Sequence, residues 1–253
     1  MKRLLIKAMF AGVGIMLASS VAVRGGILYN NSKNLVSPSM VMNFTNNAEI
    51  GDQIWLGTGS TPYYLTYFSF EYFDPIKGDY WPSGQPNIQA DVRFYMNDGS
   101  AFNGYNAPGT LFYESGFVNI PTTWLIRGTN AATVAFTTSD LFHPTGTGLT
   151  KPLDPNFSLP SNFTFTVTFS GLGSSDTVGL PIFFPPTVGG NTSDYWYNNP
   201  DSGNWELLTN SLGPIGFGAQ FVGSLTPTPE PTVFCLGALG AAAIVVITRR
   251  RRT

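Results

Sequence analysis

The stretch from Asn162 to Phe169 alternates without a break. Phe163, Phe165, Val167 and Phe169 fall on one side of an extended chain, and Thr164, Thr166 and Thr168 fall on the other. A period of two in aromatic and β-branched residues predicts a strand with one face in a core and the other toward water. Ala90 to Met96 repeats the pattern, with Ala90, Val92, Phe94 and Met96 inward and Asp91, Arg93 and Tyr95 outward. Asp91 and Arg93 share the outward face, where an exposed ion pair is worth little. Tyr63 to Phe73 is aromatic on both faces, which predicts a central strand covered on both sides.

Shorter strands are predicted at Ile27 to Asn30, Glu49 to Leu56, Thr110 to Phe117, Trp124 to Arg127 and Thr133 to Thr137. Others follow at Val178 to Phe184, Asp194 to Tyr197, Trp205 to Thr209 and Ile215 to Val222. Gly, Pro, Asn and Asp punctuate them, and no window between the two ends of the chain carries a 3.6-residue period. The pattern predicts an all-β fold, a single sandwich of jelly-roll type, with Phe rather than Leu filling the space between sheets. Pro144 to Pro160 lacks strand character and is expected to cross an end of the sandwich. Gly223 to Thr228 reads as a linker.

The two ends differ from the body. Lys2, Arg3 and Lys7 precede an apolar run from Ala8 to Leu17, and Ser20-Val21-Ala22 offers small residues for cleavage. Residues 1–22 therefore read as a secretory signal peptide, and 23–225 as the folded domain. Residues 226–253 hold three blocks: Pro229-Glu230-Pro231, an uncharged run from Val233 to Ile247, and Arg249, Arg250, Arg251 and Arg252. The prolines keep the first block extended. As a helix the run spans roughly 22 Å against a hydrocarbon core of ~30 Å, a gap that flanking residues and snorkelling arginines close. The arginines belong on the cytoplasmic side.

This order of blocks resembles the PEP-CTERM sorting signal of Gram-negative bacteria. The resemblance implies processing by a membrane protease-transpeptidase of exosortase type. It also implies transient membrane anchoring, then release or attachment at the cell surface, in bacteria that make exopolysaccharide. Cys235, the one cysteine, lies inside the apolar run and reads as a small helix residue. The segments Glu49 to Ile54, Val92 to Gly99 and Ala107 to Gly116 are similar to the bodies of many PEP-CTERM proteins, a likeness that implies no activity.

Lys2, Arg3, Lys7 and Arg249 to Arg252 take seven of the 13 Lys and Arg residues. The rest of the chain keeps six bases against 15 acids, a formal charge of −9. Such a surface excludes nucleic acid as a partner and argues against adhesion to anionic lipid. Without cysteine between the two ends, an exported fold must rest on packing alone.

No motif names a reaction. His143, the one histidine, sits beside Pro144, and no Gly-x-Ser-x-Gly accompanies it. With one His and no Cys in the body, the chain lacks the nitrogen and sulfur ligands that zinc favours. Calcium needs oxygens, and Asn97-Asp98-Gly99-Ser100 with Asn103, or the loop Asn191 to Asn204, supplies them. The competing reading of Asp98-Gly99 is a hairpin turn. Glu71, Glu114 and Glu206 are the carboxylates to examine for glycoside hydrolysis. Asp194, Tyr195, Trp196, Tyr197 and Trp205 combine rings with polar groups, as a glycan site would. The alternative is that Trp196 and Trp205 are core residues of neighbouring strands joined by a turn. Trp81, beside Pro82, is the tryptophan expected in an exposed loop. The expected function is an exported, non-enzymatic protein of the cell envelope or extracellular matrix, without cofactor. The alternative is a lectin-like carbohydrate-binding module that uses calcium.

Overall fold

A computed structural model describes residues 25–36, 41–44, 47–57, 63–73, 88–120, 131–137, 157–172, 178–209 and 213–225. The signal peptide, Trp81, Trp124 to Arg127, His143 and the sorting segment 226–253 lie outside the described residues. Among those described there is no helix, and none long and apolar enough to cross a membrane. The chain is all-β, and its two large sheets are antiparallel.

The seven-stranded sheet contains β1 (Gly26–Asn30), β2 (Val41–Phe44), β4 (Tyr63–Phe73), β10 (Ala131–Thr137), β11 (Ser158–Leu159), β13 (Val178–Pro181) and β17 (Ala219–Ser224). The eight-stranded sheet contains β3 (Glu49–Trp55), β5 (Gln89–Tyr95), β8 (Leu111–Glu114), β9 (Val118–Asn119), β12 (Asn162–Ser170), β14 (Gly190–Asn191), β15 (Tyr195–Asn198) and β16 (Trp205–Leu208). A separate hairpin joins β6 (Ala101–Phe102) to β7 (Tyr105–Asn106).

β4 is central, as its two aromatic faces predict, with β17 along one side and β10 and β11 along the other. Its alternation breaks once. Tyr63 and Leu65 are buried, but so are Phe68, Phe70 and Tyr72, which have the opposite parity. A bulge accounts for the switch. Tyr67 pairs with Val222 and Leu65 with Gly223, leaving Thr66 as the extra residue, its hydroxyl 3.1 Å from the Val222 carbonyl. One additional residue rotates everything beyond it by one face.

The two sheets meet through aromatic rings. Phe68 of β4 stacks on Phe136 at 4.2 Å and meets Phe94 of the other sheet at 5.1 Å. Phe221 meets Phe163 and Phe165 at 5.4 and 5.8 Å. Such pairs add about 0.5–1.5 kcal/mol each beyond the area they bury. With no disulfide available to the described residues, these contacts between sheets hold the sandwich-like arrangement together.

Several expectations need correction, among them Met96, expected inward but exposed where it follows β5, and Tyr95, expected outward but buried. Thr164, Thr166 and Thr168 do not face water; all three are buried on the outer side of β12. Asp91 and Arg93 are not an exposed pair, because Asp91 is only 1% exposed. Asp98-Gly99 is not the hairpin turn. The chain runs on to Asn103-Gly104, where φ values of 49° and 87° form the turn between β6 and β7. Asn-Gly suits a turn with two positive φ angles. Within Pro144 to Pro160, Ser158–Leu159 pairs with Tyr63 and Tyr64 of β4.

Candidate functional site

The outer face of the eight-stranded sheet holds most of the polar chemistry of the described residues. β12 lies between β3 and β5, and the register sets Thr168 between Glu49 and Asp91, and Thr166 beside Arg93. Strand pairing thus brings together residues far apart in sequence. The Arg93 guanidinium holds three carboxylates at once. Nη1 lies 3.2 Å from Glu49, Nη2 2.9 Å from Asp91 and Nε 3.0 Å from Glu114. A planar fork of five donors suits this role, and a lysine would not fill it.

Glu49 is 4% exposed and fully engaged. Besides Arg93 it accepts hydrogen bonds from the Tyr95 hydroxyl at 2.9 Å, the Thr166 hydroxyl at 2.6 Å and the Asn198 amide at 3.3 Å. Asp91 accepts from the Ser115 hydroxyl at 3.2 Å, and that oxygen also accepts from the Val92 N–H at 2.9 Å. Burial pushes the Asp91 carboxyl up to about 6; Arg93 opposes the shift, and Glu114 and Glu49 add to it. Burial works against the Arg93 charge as well, but Glu49 and Asp91 outweigh it and hold the guanidinium protonated. The cluster ties β3, β5, β8, β12 and β15 together. Every carboxylate in it has an ion-pair or hydrogen-bond partner on a neighbouring strand.

The aromatic segment divides between two environments. Alternation sends Tyr195 and Tyr197 toward the main core and Trp196 to the outer face. Trp196 is nonetheless 0% exposed, because the segment between β5 and β8 folds over it, bringing Ala107 and Tyr105 against its ring. Across the strand pair it meets Leu207 on one side and Gly51 on the other. The glycine is obligatory, since a Cβ there would come within 2.1 Å of the Phe165 carbonyl oxygen and 2.6 Å of Thr166. Trp205 is half-buried, edge-on to Tyr95 at 5.4 Å. Tyr195 is buried, and Asp194 and Tyr197 are half-buried. Trp196 presents no ring face to a sugar; Tyr197 and Trp205 retain part of theirs.

Among the oxygens weighed for calcium, those of Asn97, Asp98 and Asn199 have protein partners. Asp98 accepts from the backbone N–H and the hydroxyl of Thr110, both at 2.7 Å, which holds its carboxyl below the ordinary carboxylate value. This closes the base of the segment that covers Trp196. Asn97 links to Asn162 and accepts from the Thr164 hydroxyl at 2.7 Å. In the second loop Asn199 donates to Glu206 at 3.1 Å and accepts from the Asp201 N–H at 2.9 Å. Among the described residues no group of three or more His, Cys, Asp or Glu converges as metal ligands would.

A further buried acid, besides Glu49, is not marked by any sequence motif. Asp52 lies between Ile50 and Ile54 on the core face of β3 and is 0% exposed. It accepts from the Asn191 amide at 2.9 Å and the Phe217 N–H at 3.3 Å, and Thr192 lies 3.4 Å away. Burial raises its carboxyl well above the ordinary value, and these donors pull it back. Asn31, also buried, bridges the Phe183 and Phe217 carbonyls at 2.9 and 3.2 Å. Together they pin the chain near Gly216 to both sheets. Period-2 patterning assigns Asp52 to the core face, but nothing local announces its donors.

The three glutamates weighed for hydrolysis do not share a site. Glu71 stands on β4 in the seven-stranded sheet, with the Thr133 hydroxyl 2.9 Å from its carboxylate. Glu114 belongs to the Arg93 cluster, and Glu206 stands on β16, where it accepts from Asn199. His143, Pro229, Glu230, Pro231 and Arg249 to Arg252 lie outside the described residues. Comparison of the chain with protein-family models, with curated proteins and with solved structures found no match in any of the three.

Proposed function

We propose that this chain is an exported, non-enzymatic protein of the cell envelope or extracellular matrix, folded as one jelly-roll-like sandwich. It is sorted through Pro229-Glu230-Pro231, the apolar run and Arg249 to Arg252. The observation that carries the proposal is the succession of those three blocks immediately after the last strand of an acidic, cysteine-free body. Its partners are an exosortase-type processing enzyme, the membrane while the precursor is anchored, and extracellular polysaccharide; no cofactor enters. The site geometry supports a scaffold role, since Glu71, Glu114, Glu206 and Asp98 each bond to a neighbouring strand or turn. Changing Pro229, Glu230 and Pro231 to alanine should leave an unprocessed precursor in the membrane fraction. Wild-type processing of that variant would refute the sorting claim.

A second reading, a glycan-binding module, keeps Trp205 as its partly open ring on the outer face; Tyr197 and Glu206 lie on the opposite face of the β15–β16 pair. Binding of the body to a polysaccharide array, lost in Trp205→Ala but unaffected by calcium removal, would favour it.

A further inference from the structure

We propose that the end of the sandwich from which the sorting segment leaves is a seat for the lipid surface, with apolar side chains entering the interface while the precursor is anchored. The proposal rests on the sorting reading above.

Register locates that end. Ser224, the last residue of β17, pairs with Tyr64, and Tyr64 pairs with Ser158 across β4. After Leu159 the chain crosses to the other sheet, where Asn162 pairs with Trp55, the last residue of β3. Asn97, just past β5, bonds to Asn162, and Leu111, the first residue of β8, pairs with Tyr95. The ends of β17, β3 and β5, and the starts of β1 and β8, therefore lie together. Ile27, Trp55, Met96, Leu111 and Leu225 stand exposed there, Leu225 at 61%. Leu35, Val36 and Phe117 are exposed elsewhere, and Phe102 lies on the β6–β7 hairpin.

Charge is distributed the opposite way. Glu49 and Asp91 lie level with Thr168, near the other end of β12. Glu206 pairs with Tyr197, Asp201 stands at the turn beyond β15, and Glu71 lies in the half of β4 remote from Tyr64. Among the described residues the charged side chains toward the tail-bearing end are Asp98, whose carboxylate is tied to Thr110, and half-buried Asp194, which lies level with Gln53.

Chain length keeps this end near the membrane. Seven residues, Thr226 to Thr232, separate Leu225 from the apolar run, and three are proline. In a stiff extended form they reach about 22 Å. A strand of 11 residues such as β4 runs about 35 Å. So the tail-bearing end stays within reach of the headgroups, and the Glu49 and Asp201 end lies farther along the strands. Tryptophan favours that interface. The acidic body selects a zwitterionic over an anionic surface.

The test uses the full chain in phosphatidylcholine vesicles, with Cys235→Ala removing the native thiol. Leu111→Cys and Ser202→Cys place one polarity-sensitive fluorophore at the seated end or at the remote turn. The expected result is a blue shift at position 111 and loss of its emission when the lipid chains are brominated, with neither effect at 202. Vesicle-bound protein whose label at 111 is as unquenched as that at 202 overturns this proposal and leaves the sorting reading standing. Failure of the chain to float with vesicles overturns both. If 111 is shielded only in native membranes containing the processing enzyme, and not in pure lipid, the surface belongs to a protein partner and the lipid seat is refuted.

Discussion

Replacing Arg93 by methionine should be among the most destabilising single changes on the outer face. The variant keeps the length of the side chain but removes the donors that lie 2.9 to 3.2 Å from Asp91, Glu114 and Glu49. Glu114 can turn to solvent, whereas Glu49 and Asp91 are 4% and 1% exposed and cannot. Removing one partner of a buried ion pair costs about 3–5 kcal/mol, because the remaining charge is left desolvated. A domain's whole stability is only about 5–15 kcal/mol. The sign with pH follows from Asp91. Its folded value, about 6, lies above its unfolded one, so its contribution is full below the unfolded value and is lost as pH rises through about 6. Without Arg93 the charged form is penalised further, and the deficit should be larger at pH 8 than at pH 5. Urea unfolding of residues 23–226, followed by tryptophan fluorescence, should show a lower midpoint at an unchanged slope. A loss under about 1 kcal/mol, equal at both pH values, would mean that the cluster behaves as an exposed ion pair, and the argument from burial would be wrong.

Other outcomes follow from the same geometry. Gly51→Ala forces a Cβ to 2.1 Å from the Phe165 carbonyl oxygen and should cost about 1–3 kcal/mol or more, read as a fall in melting temperature. Trp196→Ala should cost about 3–5 kcal/mol as a fully buried ring is lost, whereas half-buried Trp205→Ala should cost clearly less; equal losses would contradict the covering of Trp196 by the segment between β5 and β8. Asp98→Asn should lower the melting temperature slightly at pH 7 and lose that difference on acidification. The depressed carboxyl contributes above its unfolded value and ceases to do so as pH falls through the folded one.

The inward positions of β5 and β12 were legible because alternation is local: a strand places every second residue on one side wherever it packs. Phe94, Phe163, Phe165, Val167 and Phe169 are buried as that rule requires. The same rule misread Thr164, Thr166, Thr168 and Asp91 as wet. A second side of a sheet is exposed only if nothing folds over it, and cover comes from elsewhere in the chain. Asp91 and Arg93 could be paired from their spacing, but Glu49 could not, being 44 residues away from Arg93 and brought near by β12 between them.

By itself the sequence determined the all-β class, the central place of Tyr63 to Phe73 and the expectation of an exported, tail-sorted chain. These rest on periodicity, composition and contiguous motifs, which are properties of neighbours along the chain. Tertiary structure alone decided that Trp196 is enclosed, that Arg93 gathers three carboxylates and that Asp52 is fixed by Asn191 and Phe217. It also decided that the exposed apolar residues Ile27, Trp55, Met96, Leu111 and Leu225 gather where the chain departs. Each of these depends on strand register, which brings distant residues together and which no short window of sequence contains.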